Sequence, residues 1–138
     1  MPGIIRETEL PSFEEAARGK LVPIELDSAI PFPVKRVYYL WGVPVGAVRG
    51  GHAHTIEKEF FVCLRGKCTL KFSTDGSPLQ KISLNNPKRG IFVDNLVWHE
   101  FCDFSPDAIL LCFSSTSYLP DNYISDFEDF RKICGKTE

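Results

Sequence analysis

Short apolar runs separated by turn-forming residues fill the middle of the chain, from residue 34 to residue 114. Such runs with turn signals between them are typical of an all-β sandwich or barrel. Gly66 and Gly76 lie in two of the turns and supply the positive φ of tight connections, so the strands on either side should be antiparallel. A short polar N-terminal region, for which no strand is predicted, comes first. The predicted strands span residues 34–41, 60–64, 68–72, 79–84, 90–93, 97–101 and 109–114.

Before Pro120 apolar residues recur at every second position, and after it they recur at every third or fourth position. This change predicts one amphipathic C-terminal helix. Asp121 is the predicted cap at its start, and Gly135 follows its end. An aromatic stripe at helical spacing usually packs on the core, so the helix should cover the outside of the sheet. The apolar positions of the stripe are Tyr123, Ile124, Phe127, Phe130 and Ile133.

Length and composition predict one globular domain over residues 1–138, since 43% of the side chains are hydrophobic and 25% are charged. The net charge of −2 provides no electrostatic basis for binding nucleic acid or an anionic membrane. The chain has no apolar stretch of the ~20 residues that a membrane span needs, and no secretory leader. A cytoplasmic location is therefore expected.

The five cysteines are odd in number and form no C-x-x-C pair. This pattern argues against both a disulfide framework and a zinc knuckle. Most of them have apolar neighbours, so they are interpreted as small hydrophobic residues in a reducing compartment.

All three histidines lie in two short segments, Gly-His-Ala-His at 51–54 and Val-Trp-His-Glu at 97–100. On an extended strand His52 and His54 project to the same side, because side chains alternate with a period of two. The string Gly46, five residues, His52-x-His54, four residues, Glu59, six residues and Gly66 resembles the first motif of the cupin superfamily. That resemblance implies a small antiparallel barrel or jelly roll.

The resemblance places His99 where cupins carry the histidine of their second motif. Asp94 and Leu96 stand where a proline and a glycine would be, so this turn departs from the motif. Histidines that converge in a barrel mouth predict a functional site, because desolvating buried imidazoles is costly.

Longer segments are similar to the nucleotide-sugar 3,4-ketoisomerases, cupins that act on dTDP-4-keto-6-deoxyglucose in routes to amino sugars of surface polysaccharides. The segments are KRVYYL at 35–40, RGGHAH at 49–54, FVCLRGKC at 61–68 and VWHE at 97–100. The resemblance implies catalytic His52, His54 and His99, an arginine ligand at Arg49, no metal or organic cofactor, and a homodimer that exchanges N-terminal strands. Family members often have glutamine in the place of Glu59.

Moving a carbonyl from C4 to C3 needs proton transfers at carbon and at oxygen, which histidine performs near neutral pH. We expect His52 to be the base at carbon and His54 to shuttle protons at oxygen or polarise the carbonyl, with His99 in support. A diphosphate calls for arginine, with Arg49 as the first candidate and Arg36 as the second. Tyr38 shares the strand face of Arg36, so both should line the pocket.

Two other functions stay open at this point. A metal-dependent cupin enzyme would use His52, His54, Glu59 and His99 as four ligands around an open position. A non-catalytic cupin would only bind a sugar or another small ligand.

Overall fold

The computed structural model describes residues 3–136, and antiparallel strands dominate it. Ten strands form two five-stranded sheets, and two more form a separate hairpin. The strands are β1 (Ile5–Glu9), β2 (Phe13–Glu15), β3 (Gly19–Leu21), β4 (Arg36–Trp41), β5 (Arg49–His54), β6 (Glu59–Arg65), β7 (Cys68–Ser73), β8 (Gln80–Leu84), β9 (Arg89–Val93), β10 (Trp98–Cys102), β11 (Ile109–Ser114) and β12 (Tyr123–Ile124).

The first sheet has the strand order β1-β9-β6-β11-β4, and the second has the order β12-β5-β10-β7-β8. Apolar side chains from both sheets meet in one core, in which Phe61, Leu70, Ile91 and Leu110 are almost fully buried. The architecture confirms the predicted all-β cupin fold. Each of the seven predicted strands coincides with an observed strand, with ends that differ by at most two residues.

The polar N-terminal region, where the apolar pattern indicates no strand, contains strands in the structure. Strand β1 pairs with β9 along the edge of the first sheet, from Ile5 opposite Val93 to Glu9 opposite Arg89. Arg89 also donates hydrogen bonds to the carboxylate of Glu9. An edge strand leaves one face in solvent, so its sequence contains many charged residues although its backbone belongs to the sheet.

The C-terminal helix is shorter than predicted and begins at Phe127, as helix α1 (Phe127–Ile133). Asp126 caps it by accepting from the Asp129 amide at 3.0 Å, whereas the predicted cap, Asp121, lies in a 3₁₀ turn (Pro120–Asn122). The predicted helical residues Tyr123 and Ile124 form strand β12 instead. They are extended because their backbone pairs with the free edge of β5. This pairing gives their N–H and C=O groups better hydrogen-bond partners than an isolated helical turn would.

Helix α1 packs on the outer face of the second sheet, as the apolar stripe predicted. Phe130 is fully buried, and its ring centroid lies 6.0 Å from that of Trp98 on β10. Within residues 3–136, every helix is too short or too polar to span a bilayer.

Candidate active site

A cavity of about 540 Å³ opens between the two sheets, and all six predicted catalytic and substrate-binding residues line it. Strand β4 contributes every second residue to its wall, because Arg36 and Tyr38 are half-buried while Val37 and Tyr39 are exposed. The predicted common face of Arg36 and Tyr38 is therefore confirmed. The lining comprises Arg36, Tyr38, Leu40, Val48, Arg49, Gly50, His52, His54, Phe61, His99, Phe101, Cys112, Tyr118 and Tyr123.

The three histidines meet because β5 and β10 are neighbours and place His52 opposite His99. The ring centroids are 4.6 Å apart for His52 and His54, 5.0 Å for His52 and His99, and 5.3 Å for His54 and His99. Gly50 has a φ of +82°, and a Cβ there would lie 3.0 Å from the carbonyl oxygen of His99. Glycine at this position thus allows the two strands to approach closely.

The turn before β10 is hydrogen-bonded to the end of β5, the strand that carries His52 and His54. Leu96 has a φ of +59°, a left-handed conformation that costs a non-glycine residue about 1–3 kcal/mol. Its amide donates to the carbonyl of His54 at 2.7 Å, and the side chain of Asp94 accepts from the Asn95 amide at 2.9 Å. These bonds retain the left-handed turn although the expected glycine is replaced by leucine.

Glu59 lies behind the histidines and is only 2% exposed. Its Oε2 accepts from the hydroxyl of Tyr38 at 2.7 Å, and its Oε1 lies 3.0 Å from Nε2 of His54 and 3.3 Å from Nε2 of His99. Burial alone would raise the pKa of this carboxyl group. The hydrogen bonds and charges of His54 and His99 outweigh burial and hold the pKa of Glu59 well below its usual range.

His99 faces an acceptor with each ring nitrogen. Nδ1 lies 3.0 Å from the carbonyl oxygen of Val97, and Nε2 lies 3.3 Å from the carboxylate of Glu59. Because both partners are acceptors, this environment favours hydrogen on both nitrogens and therefore the imidazolium form. Although burial opposes the charge, Glu59 raises the pKa of His99 above its usual value. His99 is thus suited to stabilise negative charge.

His52 differs from the other two histidines, since no ring-nitrogen hydrogen bond ties it to another residue in the described part of the chain. Burial, together with His99 and His54, lowers the pKa of His52 to about 3. The ring is therefore neutral near pH 7 and offers an unprotonated nitrogen at the cavity. Of the three histidines, His52 is therefore the one with an unprotonated ring nitrogen that is open to a ligand in the cavity.

Sequence reasoning missed three residues of this region, namely Tyr123, Tyr118 and Glu57. The ring centroid of Tyr123 lies 4.6 Å from that of His52, because β12 pairs with β5. Tyr118 stands at the cavity mouth, 65% exposed. The only signal for Tyr123 was Pro120, which could have indicated a break before the helix; none pointed to the other two.

The two candidate arginines differ in their partners. Arg36 donates from Nη2 to the buried carboxylate of Glu57 at 2.8 Å, and its guanidinium lies 5.3 Å from the ring centre of Tyr38. Arg49 is exposed at the start of β5, and no ion pair involves it within residues 3–136. Arg49 is therefore available for an anionic ligand at the cavity mouth, whereas Arg36 lines the cavity while one of its nitrogens is bound to Glu57.

The four residues of the alternative metal set do not all fall within one group of close ligating atoms in the described residues. Ligating atoms within 4.8 Å of one another occur in His52, His54 and His99, and separately in His54, Glu57 and Glu59. Glu59 is thus grouped with His54 and Glu57, although its Oε1 also lies 3.3 Å from Nε2 of His99. Its oxygens face Tyr38, His54 and His99 in the hydrogen-bonding arrangement described above.

The barrel, the histidine pair on β5 and the third histidine on β10 define a cupin. Within that class, residues 5–135 match the family described as "FdtA: WxcM-like, C-terminal". Since the match covers nearly the whole chain, the protein belongs to this family.

Named relatives indicate the class of enzyme. The chain is 39% identical over 120 residues to a TDP-4-oxo-6-deoxy-α-D-glucose-3,4-oxoisomerase of Aneurinibacillus thermoaerophilus, covering 87% of this chain and 86% of the relative. A 3,4-ketoisomerase from Helicobacter canadensis is similar with a TM-score of 0.89 and 30% identity, over 96% of this chain and 98% of that one. By these matches the protein is an isomerase of the 3,4-ketoisomerase class.

A further similar structure carries a ligand. It is a mutant of the 3,4-ketoisomerase QdtA from Thermoanaerobacterium thermosaccharolyticum, with asparagine in place of one histidine, in complex with TDP-4-keto-6-deoxyglucose. It matches with a TM-score of 0.88 and 28% identity, over 94% of this chain and 93% of that one. That protein therefore binds the sugar nucleotide on the same fold.

Proposed function

We propose that this protein converts TDP-4-keto-6-deoxyglucose, or a closely related nucleotide-linked 4-keto-6-deoxyhexose, to its 3-keto isomer, for the synthesis of deoxyamino sugars of surface polysaccharide. The observation that carries the proposal is the contrast between two neighbouring histidines, since His52 has no ring-nitrogen hydrogen bond within the described residues, whereas both ring nitrogens of His99, 5.0 Å away between ring centroids, face acceptors. The substrates named for the relatives agree with it.

The reaction begins with removal of the C3 hydrogen, which the neighbouring C4 ketone acidifies. His52 accepts this proton, and the electron pair of the C–H bond moves to give an enediolate with its charge on the C4 oxygen. A proton then passes from the C3 oxygen to the C4 oxygen. Finally C4 receives a proton as the C3 carbonyl forms, and His52 releases the proton that it accepted, directly to C4 or to solvent, so atoms and electrons balance and the enzyme returns to its starting state.

His99 and His54 serve this sequence in different ways. The positive charge of His99 lies close to His52 and is fixed before substrate binds, as stabilisation of an enediolate requires. Nε2 of His54 donates to the ionised Glu59, so only Nδ1 is left for proton transfer at oxygen. The shuttle role of His54 stays a prediction.

The proposal assigns no role to a metal or an organic cofactor, and nucleic acid and membranes are not expected partners. Five free cysteines, four of them buried, suit a reducing compartment such as the cytoplasm. Conversion of the sugar nucleotide is tested by incubating the protein with TDP-4-keto-6-deoxyglucose in deuterated buffer and following the sugar by NMR. We expect 3-keto signals and deuterium on the sugar carbons. Binding without conversion would instead support the non-catalytic cupin.

Replacing Glu59 with glutamine tests the metal-dependent alternative. The glutamine oxygen can still accept from Tyr38 or His54, but the side chain loses the charge that holds His99 as a cation. We expect the variant to fold and to keep measurable turnover, reduced by about 10²-fold, which is typical of losing one fixed charge-stabilising donor. Elemental analysis and turnover with and without a chelator are measured in parallel. A stoichiometric transition metal in the wild type, together with complete loss of activity on chelation, would contradict the proposal.

We propose that the protein is a homodimer joined through the β2–β3 hairpin. All residues of both strands are exposed, and the cross-strand neighbours Phe13 and Leu21 are 62% and 60% exposed. A hairpin with two large apolar residues in solvent is stabilised by pairing with a second chain. Light scattering after size exclusion should show about twice the 15.6 kDa of one chain.

A matched pair of variants locates the dimer contact. Phe13→Asp should shift the protein towards monomer, whereas Val45→Asp, at a position that is 90% exposed, should leave the dimer unchanged. A wild-type monomer at micromolar concentration would refute the assembly.

A further inference from the structure

Glu57 is a buried carboxylate next to the active site and has four polar neighbours. It lies between β5 and β6 and is 2% exposed. Its Oε2 accepts from Nη2 of Arg36 at 2.8 Å and from the hydroxyl of Ser114 at 2.7 Å. Its Oε1 accepts from the hydroxyl of Thr116 at 3.2 Å and lies 3.7 Å from Nδ1 of His54.

Glu57 thereby connects two residues of the cavity wall that have no direct contact with each other in this network. Arg36 contributes a cation to the wall, and His54 belongs to the histidine pair. Two buried side-chain atoms in the described residues lack a hydrogen-bond partner, Nε of Arg36 and Nδ1 of His54, and both belong to these neighbours of Glu57. Buried polar atoms are normally satisfied, and exceptions concentrate at functional sites.

The charge of Glu57 holds the Arg36 guanidinium in place. A guanidinium that has lost its buried anion is driven towards another anion or towards solvent. In this cavity such a movement would displace Arg36 from its position over the Tyr38 ring. Loss of the Glu57 carboxylate would also remove the negative charge that lies 3.7 Å from Nδ1 of His54. Both substrate binding and the histidine pair would respond to the loss of one carboxylate that itself does not line the cavity.

We propose that Glu57 is a positioning residue of this active site, which orients Arg36 for the nucleoside diphosphate and His54 for proton transfer. The proposal rests on the proposed function for its substrate. A merely structural role would lower the stability of the fold and leave the kinetics of the folded protein unchanged.

The test compares Glu57→Gln with Glu100→Gln. Glu100 is a matched control because its carboxylate also accepts a hydrogen bond, from Nε1 of Trp98 at 2.9 Å, but it does not line the cavity. Three kinds of quantity are measured on the folded proteins. They are the Kd for TDP by calorimetry, kcat and KM as separate constants, and the ¹⁵N chemical shifts of the His54 ring.

We expect Glu57→Gln to weaken TDP binding at least fivefold, to lower kcat at least tenfold and to move the His54 ¹⁵N signals. Glu100→Gln should change each kinetic and binding constant less than twofold. If Glu57→Gln does not fold, Glu57→Asp replaces it, and partial retention of TDP affinity and kcat relative to Glu57→Ala is the expected result.

Two outcomes separate this proposal from the proposed function. If the wild type converts the sugar nucleotide and Glu57→Gln keeps kcat, KM and TDP affinity within twofold, the positioning role is refuted while the function stands. If the wild type converts nothing, the proposed function fails, and the TDP affinity and the His54 shifts still decide whether Glu57 orients Arg36 and His54.

Discussion

His52→Asn is expected to abolish exchange of the substrate C3 hydrogen with deuterated solvent. His52 is the histidine that offers a free, neutral ring nitrogen to the cavity, because burial and two neighbouring histidines lower its pKa to about 3. Asparagine retains a similar size and polarity but has no group that accepts a proton near neutral pH. The exchange rate, followed by NMR with TDP-4-keto-6-deoxyglucose, should fall by at least the ~10²–10⁴-fold that a general base contributes.

His54→Asn is the comparison for this experiment. Its Nε2 is already held by Glu59, so its loss should impair turnover while some exchange at C3 continues. Affinity for TDP, measured alongside, should change little in His52→Asn, since the imidazole acts on the sugar. Exchange at C3 that survives in His52→Asn but disappears in His54→Asn would reverse the two roles.

Arg49→Ala is expected to weaken binding of the nucleoside diphosphate by about 1.5–3 kcal/mol, the value of a charge-assisted hydrogen bond. This corresponds to about a tenfold to 150-fold increase in Kd. Arg49 lies exposed at the cavity mouth and takes part in no ion pair within the described residues, so its guanidinium is free to bind phosphate. Calorimetry with TDP measures the effect.

Arg65→Ala controls for the general loss of one positive charge. Arg65 is exposed at the end of β6, pairs with Asp107 at 3.6 Å and lies outside the catalytic cavity. Its removal should leave the Kd for TDP unchanged. An Arg49→Ala variant that binds as tightly as the wild type would show that Arg49 is only a solvated surface charge.

The histidines show how one residue type takes different roles in a single cavity. Glu59 lies on one side and raises the pKa of His99, while burial and the two neighbouring histidines lower the pKa of His52. Opposite shifts of neighbouring titratable groups are a recurrent way to assign acid, base and electrostatic roles. Here one buried carboxylate sets the difference, although it does not line the cavity.

Local pattern was sufficient for seven of the strands and for the direction of the side chains that line the cavity. Alternation with a period of two placed Arg36 and Tyr38 on one face of β4. It likewise placed His52 and His54 on one side of β5, and the spacing from Gly46 to Gly66 identified the cupin class. These properties depend on residues close together in the chain, which is why the sequence determines them.

The local sequence pattern does not predict which strands pair with each other. Strand β1 looks polar because it is an edge strand whose residues are exposed or half-buried. Tyr123 looks helical because its spacing from Phe127 and Phe130 suits a helix. Long-range pairing with β9 and β5 decides both cases. Backbone hydrogen bonds to a neighbouring sheet edge outweigh the weak preference of a short segment.

The sequence alone thus determined the fold class, the common face of the histidine pair and the family resemblance, since each resides in short-range spacing. Only the tertiary structure decided that His52 is free while His54 and His99 face Glu59, and that Glu57 balances Arg36. These roles depend on distances between strands that are far apart in the chain, and on burial, which makes a charge depend on its few neighbours rather than on water.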